Sequence, residues 1–562
     1  MSKNMKEIQF DTVSYDSWKE HAIKALKGKP FESLFTKTIE GITLEPLYTQ
    51  EKLFEKLGEQ LDKQVSTIRS LREDTTFNVA QQVYAASGEE FLHDLKDSLA
   101  RGNEVVTIDS RVAFDWDDAT LQQVAKYFTE YSFKLIVQGQ NDALLRVLDF
   151  VENKEVKGLI VSETPVEVDF INVRTICANT IPFHNEGANA VQELALALAL
   201  AAQYADEAQD FKTFASKFFV TFAVDTQFFT EIAKLRAFKV LWKAFTSAYG
   251  VEEAIAVPTV AETSVRSYSK LDVYVNLLRA GNEALSAAIG GADYFTVHPH
   301  DVLTAPTNQS VRIARNASLI LKEETHVLRV TDPAGGSYFI ESLTADFVKE
   351  AWALFLTIQE KGGFRAFEAS GELTAMLEET YQARIKAIET RKSSLIGTNI
   401  YANPADDLAQ ETNPVFANVK RVALPFETLR AEYVAAQPKV AILTYGALKD
   451  FKPRADFVSG FVNTVGITAS QSGALQSVEE AKAWLTSTDA TYVVIAATNE
   501  DTEMLVPALV GAKPAHMQLN VAGKFAQLPE WQQQGLDGAI FAGQNIVEKL
   551  REVLQGMKEV QQ

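Results

Sequence analysis

Cysteine is almost missing from this chain: Cys177 stands alone among 562 residues. One thiol excludes any intrachain disulfide and suits a reducing cytoplasm. It is expected to be buried as a small apolar residue. Long hydrophobic runs are missing too. None reaches the roughly 18–20 residues that span a bilayer, and the opening MSKNMKEIQFD has no apolar core of a secretory signal. Basic charge is in deficit, 54 Lys and Arg against 74 Asp and Glu, for a formal charge of −20. Such a field repels phosphate backbones and argues against general nucleic-acid binding, while leaving room for a local basic pocket. No internal repeat or low-complexity tract is present.

What remains is the composition of a globular protein, 46% hydrophobic and 23% charged, in a chain too long for one ordinary core. Residues 1–50 read as an arm with few periodic signals. Leu53, Leu57, Leu61, Val65 and Ile68 recur at helical spacing and predict one helix over about 51–71. Short β-like runs then alternate with helical stretches: 104–109, 133–139, 158–163, 174–179, 219–225, 254–260 and 294–299. Helices are expected at 189–208, 228–245 and 274–289. Seven strands in β-α alternation suggest a parallel (β/α)₈ (TIM) barrel over 51–391 with one strand missed, an open doubly wound sheet being the alternative. Residues 392–438 mix Asn, Pro and Asp and read as a linker crossing a surface. From 439 to 562 the alternation restarts with strands at 439–444, 491–497, 516–523 and 537–543, as in a small flavodoxin-like domain.

Five collinear blocks, TIEGITLEPLYT, GANAVQELALALA, YVNLLRAGNEALSAAIGGADYFTV, RIARNASLILKEETHV and DPAGGSYFIESLT, together resemble the methylmalonyl-CoA mutase family. VALPFETLR and the C-terminal domain fit as well. The resemblance implies a TIM barrel followed by a cobalamin-binding-type α/β domain. It also implies adenosylcobalamin-dependent radical interconversion of methylmalonyl-CoA and succinyl-CoA, as in propionate metabolism.

The family's cobalt-ligating loop, Asp-x-His-x-x-Gly, aligns without gaps to the stretch Tyr445–Pro453, read here as a loop. Leu448 falls at the Asp, Asp450 at the His and Pro453 at the Gly. Leu448 accepts no hydrogen bond, a carboxylate is a poor replacement for imidazole at cobalt, and proline removes the freedom of glycine. The family's Ser-x-Leu stretch reads Ala497-Thr498-Asn499, and its Gly-Gly pair reads Ala522-Gly523. In the barrel, Ile181 and Pro182 stand at a Tyr-His pair, with His184 two residues on. Ala80-Gln81-Gln82 replaces Arg-Gln-Tyr, and Arg72 falls at a catalytic Tyr. The losses fall on chemistry and the likeness on scaffold.

That pattern resembles the small, non-catalytic subunit of the heterodimeric bacterial enzyme. It implies a large-subunit partner that holds adenosylcobalamin, and no catalytic, cofactor or metal site in this chain. A divergent mutase using Gln81, Gln82 and His184 on another acyl-CoA is one alternative; an acyl-CoA-binding or scaffold protein is another. HPHD offers His298, His300 and Asp301 to a metal, or else forms a polar rim. His184-Asn185-Glu186 is an acid/base candidate, or else ordinary polar capping. The glycine pairs of DPAGGSYF and IGGAD lack the spacing and lysine of a phosphate loop.

Overall fold

A computed structural model describes residues 13–72, 74–112 and 114–561; the opening MSKNMKEIQFD lies outside them. Its first large unit contains eight short parallel strands: β1 (Asn78–Val79), β2 (Val105–Asp109), β3 (Ser132–Ile136), β4 (Gly158–Val161), β5 (Val173–Arg174 and Ile176–Asn179), β6 (Phe218–Val224), β7 (Thr259–Thr263) and β8 (Tyr294–Thr296). They pair as β2-β3-β4-β5 and as β5-β6-β7-β8-β1. Strand β5 serves both sheets, through Val173–Arg174 on one side and Ile176–Asn179 on the other. Past the end of β1, Gln82 bridges to Thr107 of β2. The α/β class with parallel sheets, read from the alternation, is what the chain forms.

Strand alternation decides what faces where. Phe133 and Leu135 pack outward with helix residues Phe91, Leu121 and Val124. Leu159, Val161, Cys177, Phe219 and Val260 form a separate inner cluster. The long helices Ala190–Glu207 and Phe228–Ala248 are buried along most of their length; the first starts at a capping box in which Asn189 and Gln192 satisfy each other's backbone N–H.

Four expectations shift. The helix over 51–71 is two helices, Gln50–Leu57 and Gln60–Ser70, because Gly58 between them takes φ +50°. Strand β7 begins at Thr259, after Pro258, whose missing N–H cannot join a ladder. The arm contains a helix, Tyr15–Ala25, that buries none of its residues. The region 392–438 is irregular only at first: Leu424–Ala436 is a helix that buries Phe426, Leu429 and Tyr433.

The C-terminal sheet is parallel throughout: β9 (Val440–Thr444), β10 (Ser470–Gln471), β11 (Tyr492–Ala496), β12 (Gln518–Ala522) and β13 (Gly538–Ile540), in the order β10-β9-β11-β12-β13. The chain reverses direction across the sheet between β9 and β11, which opens a crevice at the strands' carboxyl ends. One face packs on the final helix through Ile546, Leu550 and Val553, and the same core takes in Ile385 and Ile388 from the helix Glu372–Glu389. Among the described residues, no helix is long and apolar enough to cross a membrane.

Candidate functional site

Three places could carry chemistry, and each is assembled by strands or the residues that follow them. The first lies between the two large sheets. Lys134 sits in the middle of β3 with outward-packed neighbours on both sides, so its own side chain turns inward and is wholly buried. Its Nζ donates to Glu262 Oε1 of β7 at 2.8 Å and to Thr296 Oγ1 of β8 at 2.9 Å. Glu262 Oε2 lies 3.3 Å from His298 Nε2, and His298 Nδ1 lies 3.2 Å from the Tyr84 hydroxyl. One assignment satisfies every atom: Tyr84 donates to His298, His298 to Glu262, and Lys134 to Glu262 from the other side.

Burial alone would raise the Glu262 carboxyl, but Lys134 and His298 hold it far below the ordinary carboxylate range. Burial, reinforced by Glu262, pushes the Tyr84 phenol well up. Phe416 closes the chain of contacts, meeting the His298 ring edge-on at 5.3 Å. Its segment is anchored by Asn413, whose N–H donates to Leu303 O. Every polar group of the row is spent on a neighbour, so the cluster fills space and leaves no free base or nucleophile. Cys177 faces the same interior, with burial pushing its thiol up and so suppressing thiolate chemistry.

The second place gathers residues that follow β5, β6 and β7. His184 Nδ1 is 2.8 Å from Glu193 Oε1, and its Nε2 is 2.7 Å from Ser264 Oγ. A carboxylate, an imidazole and a hydroxyl in this order have the geometry of a nucleophilic triad. None of the three is more than 1% exposed, so no substrate carbonyl can reach Ser264. Burial, then the nearby Arg266, lowers the imidazole to about 4, against the pull of Glu193. Arg266 ties the group together, donating to the carbonyls of His184 and Ala188 and to Asp225 Oδ2 at 2.6 Å. Lys234 completes it with ion pairs to Glu193 and Glu231. The chemistry available here is structural.

The sequence grouped His184 with Asn185 and Glu186, and this is corrected. Its partners are Glu193 and Ser264, while Glu186 pairs outward with Lys420. Ile181 and Pro182 open the short helix Ile181–Glu186. Arg72 donates to the carbonyls of Asp74, Thr75 and Thr331 and braces a turn. Gln81 and Gln82 are buried, and Gln81 takes its backbone partner from Asn103. His298 and His300 do not share a site: the first belongs to the inner row, the second lies against the Tyr274 ring at 5.2 Å. Asp301 accepts from the backbone N–H of Thr307.

The third place is the crevice beside β9. The stretch read as a loop is mostly helix: Leu448–Val462 starts three residues after Tyr445. Asp450 favours that early start, since a carboxylate in the first turn complements the helix dipole. Leu448, Asp450 and Pro453 all stand exposed, with Pro453 inside the helix. One turn on from Asp450, Arg454 reaches across the strand ends to Ala497 O and Asn499 Oδ1 and lies 5.5 Å from the Phe525 ring centre. Thr498 caps the next helix by accepting from Asp501 N–H at 3.1 Å. Gly523 takes φ +134°, and a Cβ there would come within 3.0 Å of Phe525 and 3.4 Å of Arg454. Arg454 and Phe525 therefore occupy the crevice mouth.

The family model described as methylmalonyl-CoA mutase matches residues 166–435, which include the His184 cluster and Glu262. The chain is similar to the methylmalonyl-CoA mutase small subunit of Porphyromonas gingivalis, 29% identical over an alignment covering 98% of each chain. It is similar to the methylmalonyl-CoA mutase of Cereibacter sphaeroides at 30%, covering 70% of this chain and 65% of that one. The small subunit from Streptomyces virginiae matches at 31%, covering 68% of this chain and 64% of its own. The chain thus belongs to the methylmalonyl-CoA mutase family, among its small subunits.

Proposed function

We propose that this chain is the structural subunit of a heterodimeric, adenosylcobalamin-dependent methylmalonyl-CoA mutase of the cytoplasm, with substrate and cofactor held by a large subunit. The observation that carries the reading is the filled interior. In our reading the strands close into a single (β/α)₈ barrel over 51–391, supported by β5 serving both sheets and by the Gln82–Thr107 bridge. The Lys134–Glu262–His298–Tyr84 row and Phe219 then stand where an acyl-CoA would need open space. Phe416, from the 392–438 linker, adds a lid on the same cluster.

The flavodoxin-like domain at 439–562, with its strand order β10-β9-β11-β12-β13, is degenerate in the same sense. The residues present do not fit a cobalamin. Asp450 offers cobalt a carboxylate in place of an imidazole, and Arg454 with Phe525 blocks the crevice that a nucleotide tail would enter. Partnership is supported by the arm within 1–50: an isolated helix of eleven residues is marginal in water, yet Tyr15–Ala25 fully buries no residue on its own chain, with Trp18 half-buried against Phe31 and Ile23 exposed. A second protein surface is the natural place for Ile23 and the open side of Trp18.

The test is to purify the chain alone and with a large subunit, add adenosylcobalamin, and record both the visible spectrum and turnover of methylmalonyl-CoA. The expected result is turnover and a base-off spectrum only when the large subunit is present. A stoichiometric His-ligated complex, or turnover by this chain alone, would overturn the proposal.

A further inference from the structure

Bordering the first place through Tyr84, a cavity of about 570 Å³ lies between the helices Gly88–Ala100 and Asn308–Glu324. It concentrates positive charge in a chain of formal charge −20. Three arginines line it: Arg101, Arg312 and Arg315. Arg101 is neutralised by Asp97, whose Oδ1 accepts from its Nε at 2.7 Å. Arg312 makes no ion pair among the described residues and stands exposed. Arg315 is only 3% exposed; its Nη1 donates to Ser98 Oγ at 3.2 Å, and its Nε is buried without an acceptor.

The same cavity holds the opposite deficit. Asp94 Oδ1 is 3.0 Å from His93 Nδ1, while its Oδ2 is buried with no donor. An unmet N–H on a buried guanidinium costs free energy, and so does an unmet carboxylate oxygen. One ligand answers both needs if it carries an oxyanion and a hydroxyl. Burial is the main reason that the Arg315 guanidinium sits below its ordinary value; Arg101 and Arg312 repel it further, with Asp97 opposing them. The positive field there is only partly compensated.

We infer that this cavity binds a phosphate monoester. The phosphate oxygens accept from Arg312 and from Arg315, whose closed-off Nε–H turns toward them, in charge-assisted hydrogen bonds. A hydroxyl of the organic part donates to Asp94, whose closed-off Oδ2 turns with it. The cavity volume exceeds that of a phosphate group alone and falls in the range of small-molecule sites.

The experiment is calorimetric titration of the full-length chain with glycerol 3-phosphate and with inorganic phosphate, in phosphate-free buffer at fixed ionic strength. Saturable binding is expected for both, with the ester tighter. Arg312→Gln should weaken the ester about tenfold, the loss of one charge-assisted hydrogen bond. Arg551→Gln, on the last helix, should change nothing. Arg315→Gln should abolish binding, but its buried side chain can disturb folding, so the exposed Arg312 carries the decision. Equal affinity for the two ligands overturns the assignment to an ester. Ester binding unchanged in Arg312→Gln overturns the location. No saturable binding of either overturns the site.

Discussion

Replacing Lys134 by Met removes the cation from the inner row with little change in volume. Glu262 is then left with His298 as its polar neighbour, and Thr296 loses its donor. Breaking a buried ion pair from one side costs about 3–5 kcal/mol, because the remaining charge stays desolvated. At about 2–4 °C per kcal/mol for a unit of this size, the thermal midpoint should fall by about 10 °C. The double variant Lys134→Met with Glu262→Gln removes both charges, and should recover all but about 1–2 kcal/mol. The assay is thermal and urea unfolding at pH 7, followed by circular dichroism on all four members of the cycle. A coupling energy below about 0.5 kcal/mol, with Lys134→Met costing less than about 1 kcal/mol, would refute the reasoning. It would mean that water reaches Lys134 and that the interior is an open channel.

His184 gives a pH signature. Its folded value of about 4 lies below the ordinary 6.5, so the imidazole stays neutral in the fold while the unfolded chain takes up a proton. Its stabilisation is full above pH 6.5 and is lost as pH falls toward 4, by about 3 kcal/mol. Urea midpoints at pH 7 and pH 4.5 should converge less steeply for His184→Gln than for the parent, and parallel pH profiles would refute this. Pro453→Ala restores an N–H to an exposed helix position and should stabilise the C-terminal unit by about 1 kcal/mol or more; a lower melting temperature would contradict it. Arg454→Ala should cost about 1–2 kcal/mol and open the crevice, yet leave the spectrum of added adenosylcobalamin unchanged.

The strands were legible because buried parallel strands are apolar runs: β2, β4 and β8 fall inside the stretches read from VVTID, FKLIV and their kin, and β3, β5 and β6 overlap theirs, each starting one residue early. Among the described residues, the two-residue strands were not: β1 lies within a polar stretch, β10 is Ser470–Gln471, an exposed pair without an apolar side chain, and the arm holds a short antiparallel pair, Thr36–Lys37 with Thr43–Leu44. The Lys134 row left one trace, a lysine inside FKLIVQG, where alternation already turns it to the face opposite Phe133 and Leu135. The His184 cluster left only the histidine itself. Its partners lie 9 and 80 residues away in the chain, and only the packing of three strand ends brings them together. The opening of the C-terminal domain read as a loop because an open α/β sheet places its ligand-binding loop past a strand's carboxyl end, whereas the first-turn Asp450 and the buried Phe451, Ala455 and Val458 argue for helix and win.

The uneven bonding of the strands has a mechanical consequence. Five residue pairs join β2 to β3 and five join β6 to β7, but only two join β4 to β5, and β1 is held by two pairs on one side and a single bridge on the other. Local opening should therefore begin along β1 and the β4–β5 joint, and amide exchange should be fastest there among the strands. Those two lines divide the eight strands into two groups joined by few backbone bonds, so that side chains reaching across, Lys134 to Glu262 above all, act as the rivets between them.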